Sequence, residues 1–251
     1  VTRATTKNPI FRTLPPKFTN LMVNFTKSEK VPASLAIEKA KPSSENYRSR
    51  DVVAQVADDF FDKCYLCEDK NVKDINVEHF EPHKGDRDKM FDWRNLFFAC
   101  SYCNNIKSDT EKTDAAIPLL NCTDNSTNLL DSIQLRVDVS KLPEKHFIVK
   151  ATSNDEKTLN TAILLHKIYN EKPKPTALKE RGALNLRKRI IEHLIEFEDL
   201  ITEYKLNVIS KDFVKRKLIR QLQTDTAFTT FKVWLVREND ELQEFRQYLP
   251  Q

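Results

Sequence analysis

Glycine is almost missing from this chain of 251 residues, which has only Gly85 and Gly182. Glycine-rich loops that cradle phosphates need several glycines at fixed spacing, so a P-loop or a dinucleotide-binding βαβ unit is not expected. Any ATP chemistry is left to a partner. Long apolar runs are missing too: no stretch approaches the ~20 residues that a membrane-spanning helix requires. The polar, basic start carries no apolar segment ahead of a cleavage site, so neither a secretory leader nor a membrane role is expected. Charge of one sign is not in excess overall, at +4, but it is unevenly spread. Residues 1–50 carry ten basic side chains against Glu29, Glu38 and Glu45, a balance of +7, which leaves −3 for the remainder. Such an arm fits a phosphate backbone, and fits equally well a solvated leader.

With 39% hydrophobic and 31% charged residues, the composition suits a helix-rich protein with a core of ordinary size. Residues 1–46 contain prolines at 9, 15, 16, 32 and 42 and little periodicity, and read as an arm with one short helix near 34–40. Val52, Val53, Val56, Ala57, Phe60 and Phe61 recur at helical spacing and predict an amphipathic helix over 47–62. Two alternating runs, 134–139 and 146–151, flank a turn-prone stretch and predict a hairpin. From residue 155 the pattern is helical: a stripe through Leu159, Ile163, Leu164 and Ile168, a long helix over 177–206, and a further helix to Leu222 with Ser210 as its N-cap. Three segments follow from this reading: an arm (1–46), a central unit (47–115) and a mostly helical C-terminal part (116–251) that would dock a partner.

Four of the five cysteines form two C-x-x-C pairs, Cys64/Cys67 and Cys100/Cys103, and Cys122 is left over. An odd count without a leader points to a reducing compartment, the cytoplasm, where paired knuckles are more often zinc ligands than disulfides. Four thiolates close a tetrahedral site with no open position, so the zinc would be structural and would tie together a unit with little core of its own. The enclosed loop reads Val77-Glu78-His79-Phe80-Glu81-Pro82-His83, then Trp93-Arg94-Asn95-Leu96, then Cys100-Ser101-Tyr102-Cys103-Asn104-Asn105-Ile106-Lys107. Hydrolysis of a phosphodiester needs a base for water, a Lewis acid and cations for flanking phosphates. A neutral histidine suits the first role. A carboxylate and an amide oxygen suit Mg²⁺.

Glu-His-x-x-Pro, Asn-Leu and Cys-x-x-Cys-Asn-x-x-Lys together resemble the HNH endonuclease motif in its zinc-stapled form. The resemblance implies a small ββα-metal, treble-clef-like nuclease unit within a mainly α, overall α+β chain. It implies His79 as general base, Glu78 and Asn104 as ligands of a catalytic Mg²⁺ or Mn²⁺, Asn95 as the residue bracing the loop, and Lys107 as a helix cation facing a phosphate. Pro32 with Ser34-Leu35-Ala36, the Cys-x-x-Cys-Glu knuckle and Phe91-Asp92-Trp93-x-Asn95-Leu96 extend the likeness to the nuclease subunit of the Septu anti-phage system, with kin in retron defence systems. That implies nucleic acid as substrate (DNA before RNA or tRNA), a partner ATPase of the SMC/RecF-like ABC class and, in a retron setting, a reverse transcriptase with its msDNA. His83 and Ser108 depart from the family pattern, at positions that are neither base nor ligand. The rival reading is a zinc-stabilised binding or adaptor protein that does not cut. His146, His166 and His193 read as ordinary hydrogen-bonded histidines, Trp93, Phe97 and Phe98 as core, and Cys122 as a buried thiol. The basic clusters at 187–189 and 215–217 read as solvated helix faces, or as a nucleic-acid track.

Overall fold

The computed structural model describes residues 24–70, 72–113, 117–124, 126, 128–138, 146–170, 177–207 and 210–250, so half of the basic arm, residues 1–23, lies outside the described residues. Helices α1 (Ala33–Lys39) and α2 (Arg50–Asp59) precede strand β1 (Ile75–His79). A single turn, α3 (Arg87–Met90), and a 3-10 turn (Trp93–Asn95) lead into β2 (Leu96–Cys100), which runs directly into α4 (Ser101–Thr113). β1 and β2 pair antiparallel, with Ile75 opposite Cys100 and His79 opposite Leu96. This is a ββα unit. After α5 (Leu129–Ser132), strands β3 (Ile133–Asp138) and β4 (His146–Ala151) form the second hairpin, with Ile133 opposite Ala151. The chain ends in α6 (Glu156–Asn170), α7 (Ala177–Leu206), α8 (Lys211–Gln221), α9 (Thr229–Glu238) and a 3-10 segment (Asp240–Tyr248). The fold is thus mainly helical and α+β.

Every residue of β2 is buried, which explains why it reads as a continuous apolar run rather than an alternating one. Phe97 packs 4.8 Å from Phe80 and 5.2 Å from Phe60, centroid to centroid, in the core that also takes Val52 and Val56 of α2. That helix is shorter than the predicted 47–62. It starts at Arg50 and stops where Phe61 and Asp62 both take left-handed φ of 55°, which turns the chain into the first cysteine knuckle. Ser210 does precede α8, but its side chain makes no capping hydrogen bond.

The second core begins at the cysteines. Cys64, Cys67, Cys100 and Cys103 share one apolar cluster with Leu164, Leu165 and Ile168 of α6, Leu186 and Ile190 of α7, and Phe231 beside them on α9. A buried polar latch fixes the same junction. The Glu68 carboxylate accepts from the Thr230 backbone N–H (3.0 Å) and from its hydroxyl. It also lies 3.7 Å from the fully buried Lys63 ammonium, which donates to Thr224 O at 2.7 Å. The knuckle therefore sits against the first turn of α9, while His79, at the far end of β1, packs beside Tyr47 of the segment between α1 and α2.

Candidate active site

The first knuckle is a tight turn: Cys64 N–H donates to Asp69 O, Glu68 N–H to Cys64 O, and Glu68 takes φ +60°. The second knuckle spans the junction of β2 and α4, where Cys103 N–H donates to Cys100 Sγ at 3.4 Å. Tyr65 N–H donates to Phe98 O and joins the two. The four sulfurs lie within 4.8 Å of one another, all buried, and Cys67 Sγ stands 3.9 Å from Cys100 Sγ. A tetrahedral zinc with ~2.3 Å Zn–S bonds needs sulfurs roughly 3.8 Å apart, so the cluster can hold one. Burial pushes the Cys67 and Cys103 thiols up, whereas hydrogen bonds from Cys103, Cys64 and Cys67 hold Cys100 far down as a thiolate. A cation at the centre would let all four release their protons.

His79 ends β1 and is 9% exposed. Its Nε2 lies 2.9 Å from Met90 O, and a carbonyl can only accept, so Nε2 carries the proton and the Nδ1 lone pair is free. Burial holds its pKa down to about 4, partly offset by that hydrogen bond and reinforced by His83 and Arg48, so the ring is neutral at pH 7. Its ring neighbours are Tyr47 at 4.3 Å and His83 at 4.6 Å. His83 is itself oriented by Gly85 N–H, which donates to its Nδ1; Gly85 takes φ +88°, which an L side chain rarely adopts.

Asn95 holds the loop between the strands. Its Oδ1 accepts from Glu81 N–H at 2.7 Å, and its Nδ2 donates to Glu81 O (2.9 Å) and Lys89 O (3.1 Å). The carbonyl next to Lys89 is that of Met90, so Asn95 sets the residue that fixes the imidazole.

Glu78, one residue before His79, alternates to the other face of β1, toward α4. It is 5% exposed, and burial raises its carboxyl to about 7 against the opposing pull of Lys107. Its Oε1 and the Tyr65 hydroxyl are both buried outside good hydrogen-bond geometry, yet close enough that the hydroxyl helps hold the carboxyl down and the carboxylate adds to the burial that holds the phenol up. A buried carboxylate with an oxygen not firmly hydrogen-bonded has the chemistry of a ligand for a hard divalent cation, and Asn104, half-buried one turn before Lys107 on α4, carries an amide oxygen of the same kind.

Lys107 corrects the expectation of a cation facing phosphate. It is 2% exposed, and its Nζ lies 2.8 Å from His79 O, 3.4 Å from Glu78 Oε2 and 3.0 Å from Glu111 Oε1. The ammonium is thus held by one backbone carbonyl and two carboxylates. Lys107 ties α4 to β1; it does not reach outward. The sequence reading also passed over Tyr47 and Arg48 beside His79, because their spacing placed them on an amphipathic helix that in fact begins at Arg50. Of the basic clusters, Arg189 pairs with Asp69, Lys188 with Glu192 and Lys215 with Glu244. Arg187 donates to Tyr169 O. Cys122, Trp93, Phe97 and Phe98 are buried, as expected. His193 lies beside Glu196, and His166 Nδ1 is 3.1 Å from Asn170 Nδ2. The side chain of His146 lies outside the described residues.

Residues 64–110 match the family model described as HNH endonuclease, a span that opens at the first zinc-knuckle cysteine and closes on α4. No curated protein and no solved structure matches the chain. The match supports a nuclease in general, and no described helix is long and apolar enough to cross a membrane.

Proposed function

From an HNH unit at residues 64–110, we propose that the chain is a divalent-metal-dependent endonuclease, using magnesium or manganese, that hydrolyses phosphodiester bonds of nucleic acid, DNA ahead of RNA or tRNA. The observation that carries this reading is the state of His79 within that match: buried and neutral, with Nε2 committed to Met90 O and Nδ1 free. Nδ1 accepts the proton of the water that attacks phosphorus, and the Met90 carbonyl steadies the imidazolium that forms. A divalent cation held by Glu78 and Asn104 would supply positive charge to the phosphate and the departing oxygen. Lys107 opposes the burial that raises the Glu78 carboxyl, and so favours the ionised form that would serve as ligand. Asn95 keeps the loop, and with it Met90, in register with the ring.

The test is incubation of the purified chain with plasmid, single-stranded DNA and total tRNA, with Mg²⁺, with Mn²⁺ and with chelator. Cleavage of at least one substrate, dependent on the cation and lost in His79→Ala, is expected. Binding without cleavage under every condition would favour the rival reading, a non-cutting zinc-stabilised binding or adaptor protein.

A partner belongs to the same reading. The resemblance to the Septu nuclease subunit suggests an ABC-class ATPase in an anti-phage complex, with a reverse transcriptase and its msDNA in a retron setting. Leu184, Ile195 and Leu206 support a docking role for the helical part. They recur every eleven residues along α7, which returns each to nearly the same face, and they are 64%, 49% and 68% exposed. Co-expression with such an ATPase should give a complex that Leu206→Glu weakens while leaving the nuclease unit intact. Undiminished binding by a triple variant at these leucine and isoleucine positions would move the interface elsewhere.

A further inference from the structure

A phosphodiester cutter needs a cation on the substrate side of its base, and Lys107 is buried between His79 O, Glu78 and Glu111. Several other cations around the loop are committed as well. Lys89 pairs with Glu81 and Lys39 with Asp88. Lys27 donates to Leu96 O over the Trp93 ring. Arg87 spends its guanidinium on the carbonyls of Glu38, Lys39, Lys41, Pro42 and Ser44, at the end of α1 and just beyond it.

Arg48 is different. It is exposed and pairs with no carboxylate among the described residues; its guanidinium stacks 4.7 Å from the Tyr47 ring centroid and donates one N–H to the Tyr47 hydroxyl. Tyr47 in turn packs 4.3 Å from His79. The pair is held in place before any substrate arrives. Arg87 ties the chain at 38–44 to the loop after β1, Asn46 Oδ1 accepts from Arg48 N–H, and α2 starts two residues later.

Resting on the nuclease reading, we infer that Arg48, propped on Tyr47 beside His79, is a substrate-contacting residue that grips a phosphate next to the bond being cut, from a segment outside the matched HNH span. A planar guanidinium with one N–H spent on Tyr47 retains donors for two phosphate oxygens, a geometry that a lysine cannot reproduce. Tyr47 is the positioning residue: its ring spaces Arg48 from the imidazole, and its hydroxyl fixes the fork.

The experiment uses the full chain with a fluorescein-labelled 20-mer duplex DNA and a single-stranded RNA of the same length, and reads cleavage with Mg²⁺ and anisotropy without it. Arg48→Ala should lower kcat/KM by ~10–100-fold, the loss of one charge-assisted contact, with an unchanged melting temperature. It should also reduce the slope of log affinity against log salt on duplex by about 0.9. Arg48→Lys should restore the slope but not the rate, and Tyr47→Phe should fall between wild type and Arg48→Ala. Arg50→Ala, two residues on and also exposed, is the control. Wild-type rate and slope in Arg48→Ala, or an equal loss in Arg50→Ala, overturns the assignment while cleavage itself stands. If wild type binds but never cuts and Arg48→Ala weakens binding, the nuclease reading falls and the phosphate contact stands. If wild type neither cuts nor binds either oligonucleotide, both fall.

Discussion

His79 and Asn95 do different work within one loop, and their variants should fail differently. His79→Ala removes one hydrogen bond, to Met90 O, from a ring whose neighbours, Tyr47 and His83, belong to the segment before α2 and to the loop rather than to the four-cysteine cluster. Cleavage should drop by ~10²–10⁴, the usual worth of a positioned base, with zinc content and melting temperature close to wild type. Asn95→Ala breaks the bonds to Glu81 N–H, Glu81 O and Lys89 O, and strands these groups in a buried loop. It should cost about 1–3 kcal/mol in urea unfolding and lower cleavage as well, because Met90 loses its register. Equal stability in the two variants would show that Asn95 does not brace the loop. His79 and Asn95 were both legible in the sequence because their spacing is that of a motif. The carbonyl that sets the tautomer of His79 was not, since it belongs to Met90, a residue with no polar side chain.

At the scale of elements, the ββα unit depends on its four sulfurs. β1 and β2 form a hairpin of five residues each, too small to stand alone, and the knuckles close its open end. Cys100 sits at the junction of β2 and α4, and its Sγ is one of the four that lie within 4.8 Å of one another. Cys100→Ser should therefore lose the zinc and unfold the unit, seen as loss of one zinc per chain by metal analysis together with a lowered melting temperature. A folded Cys100→Ser with full zinc content would show that the cluster is not the structural site. Element boundaries followed the periodic stripes closely for α7 (Ala177–Leu206) and for the β3–β4 hairpin. They failed at α2, where Tyr47 and Arg48 share the helical spacing but are drawn instead to His79 and to each other.

Across the whole molecule, the knuckle and the C-terminal helices share one core, so cutting the chain near residue 155 would expose the apolar faces around Ile168, Ile190 and Phe231. Point variants test the junction more cleanly. Glu68→Ala leaves Lys63 buried without its carboxylate and frees the Thr230 N–H at the start of α9. Breaking a buried pair from one side costs ~3–5 kcal/mol, so a loss of that size is expected in urea unfolding, larger than for Asn95→Ala. A loss below ~1 kcal/mol would mean that the latch is not a structural tie. The sequence marked Glu68 only as the end of the Cys-x-x-Cys-Glu knuckle; that Lys63 and Thr230 meet it is decided by packing.

The sequence alone determined what depends on neighbours in the chain: two knuckles with four sulfur ligands, a histidine-bearing loop between them, and helices whose apolar stripes repeat at 3.6 residues. These are local patterns, written within a few turns of backbone. Tertiary structure decided which charges face water. Lys107 and Arg48 are both cations near a histidine in sequence or in space, and nothing local separates them. Lys107 is buried because α4 packs its side chain onto β1, where Glu78 and Glu111 meet it; Arg48 stays exposed because α2 begins just after it and no carboxylate is brought near. Desolvation and pairing are set by elements far apart in the chain, and they made the expected phosphate cation a strut and left an arginine outside the motif at the mouth of the site.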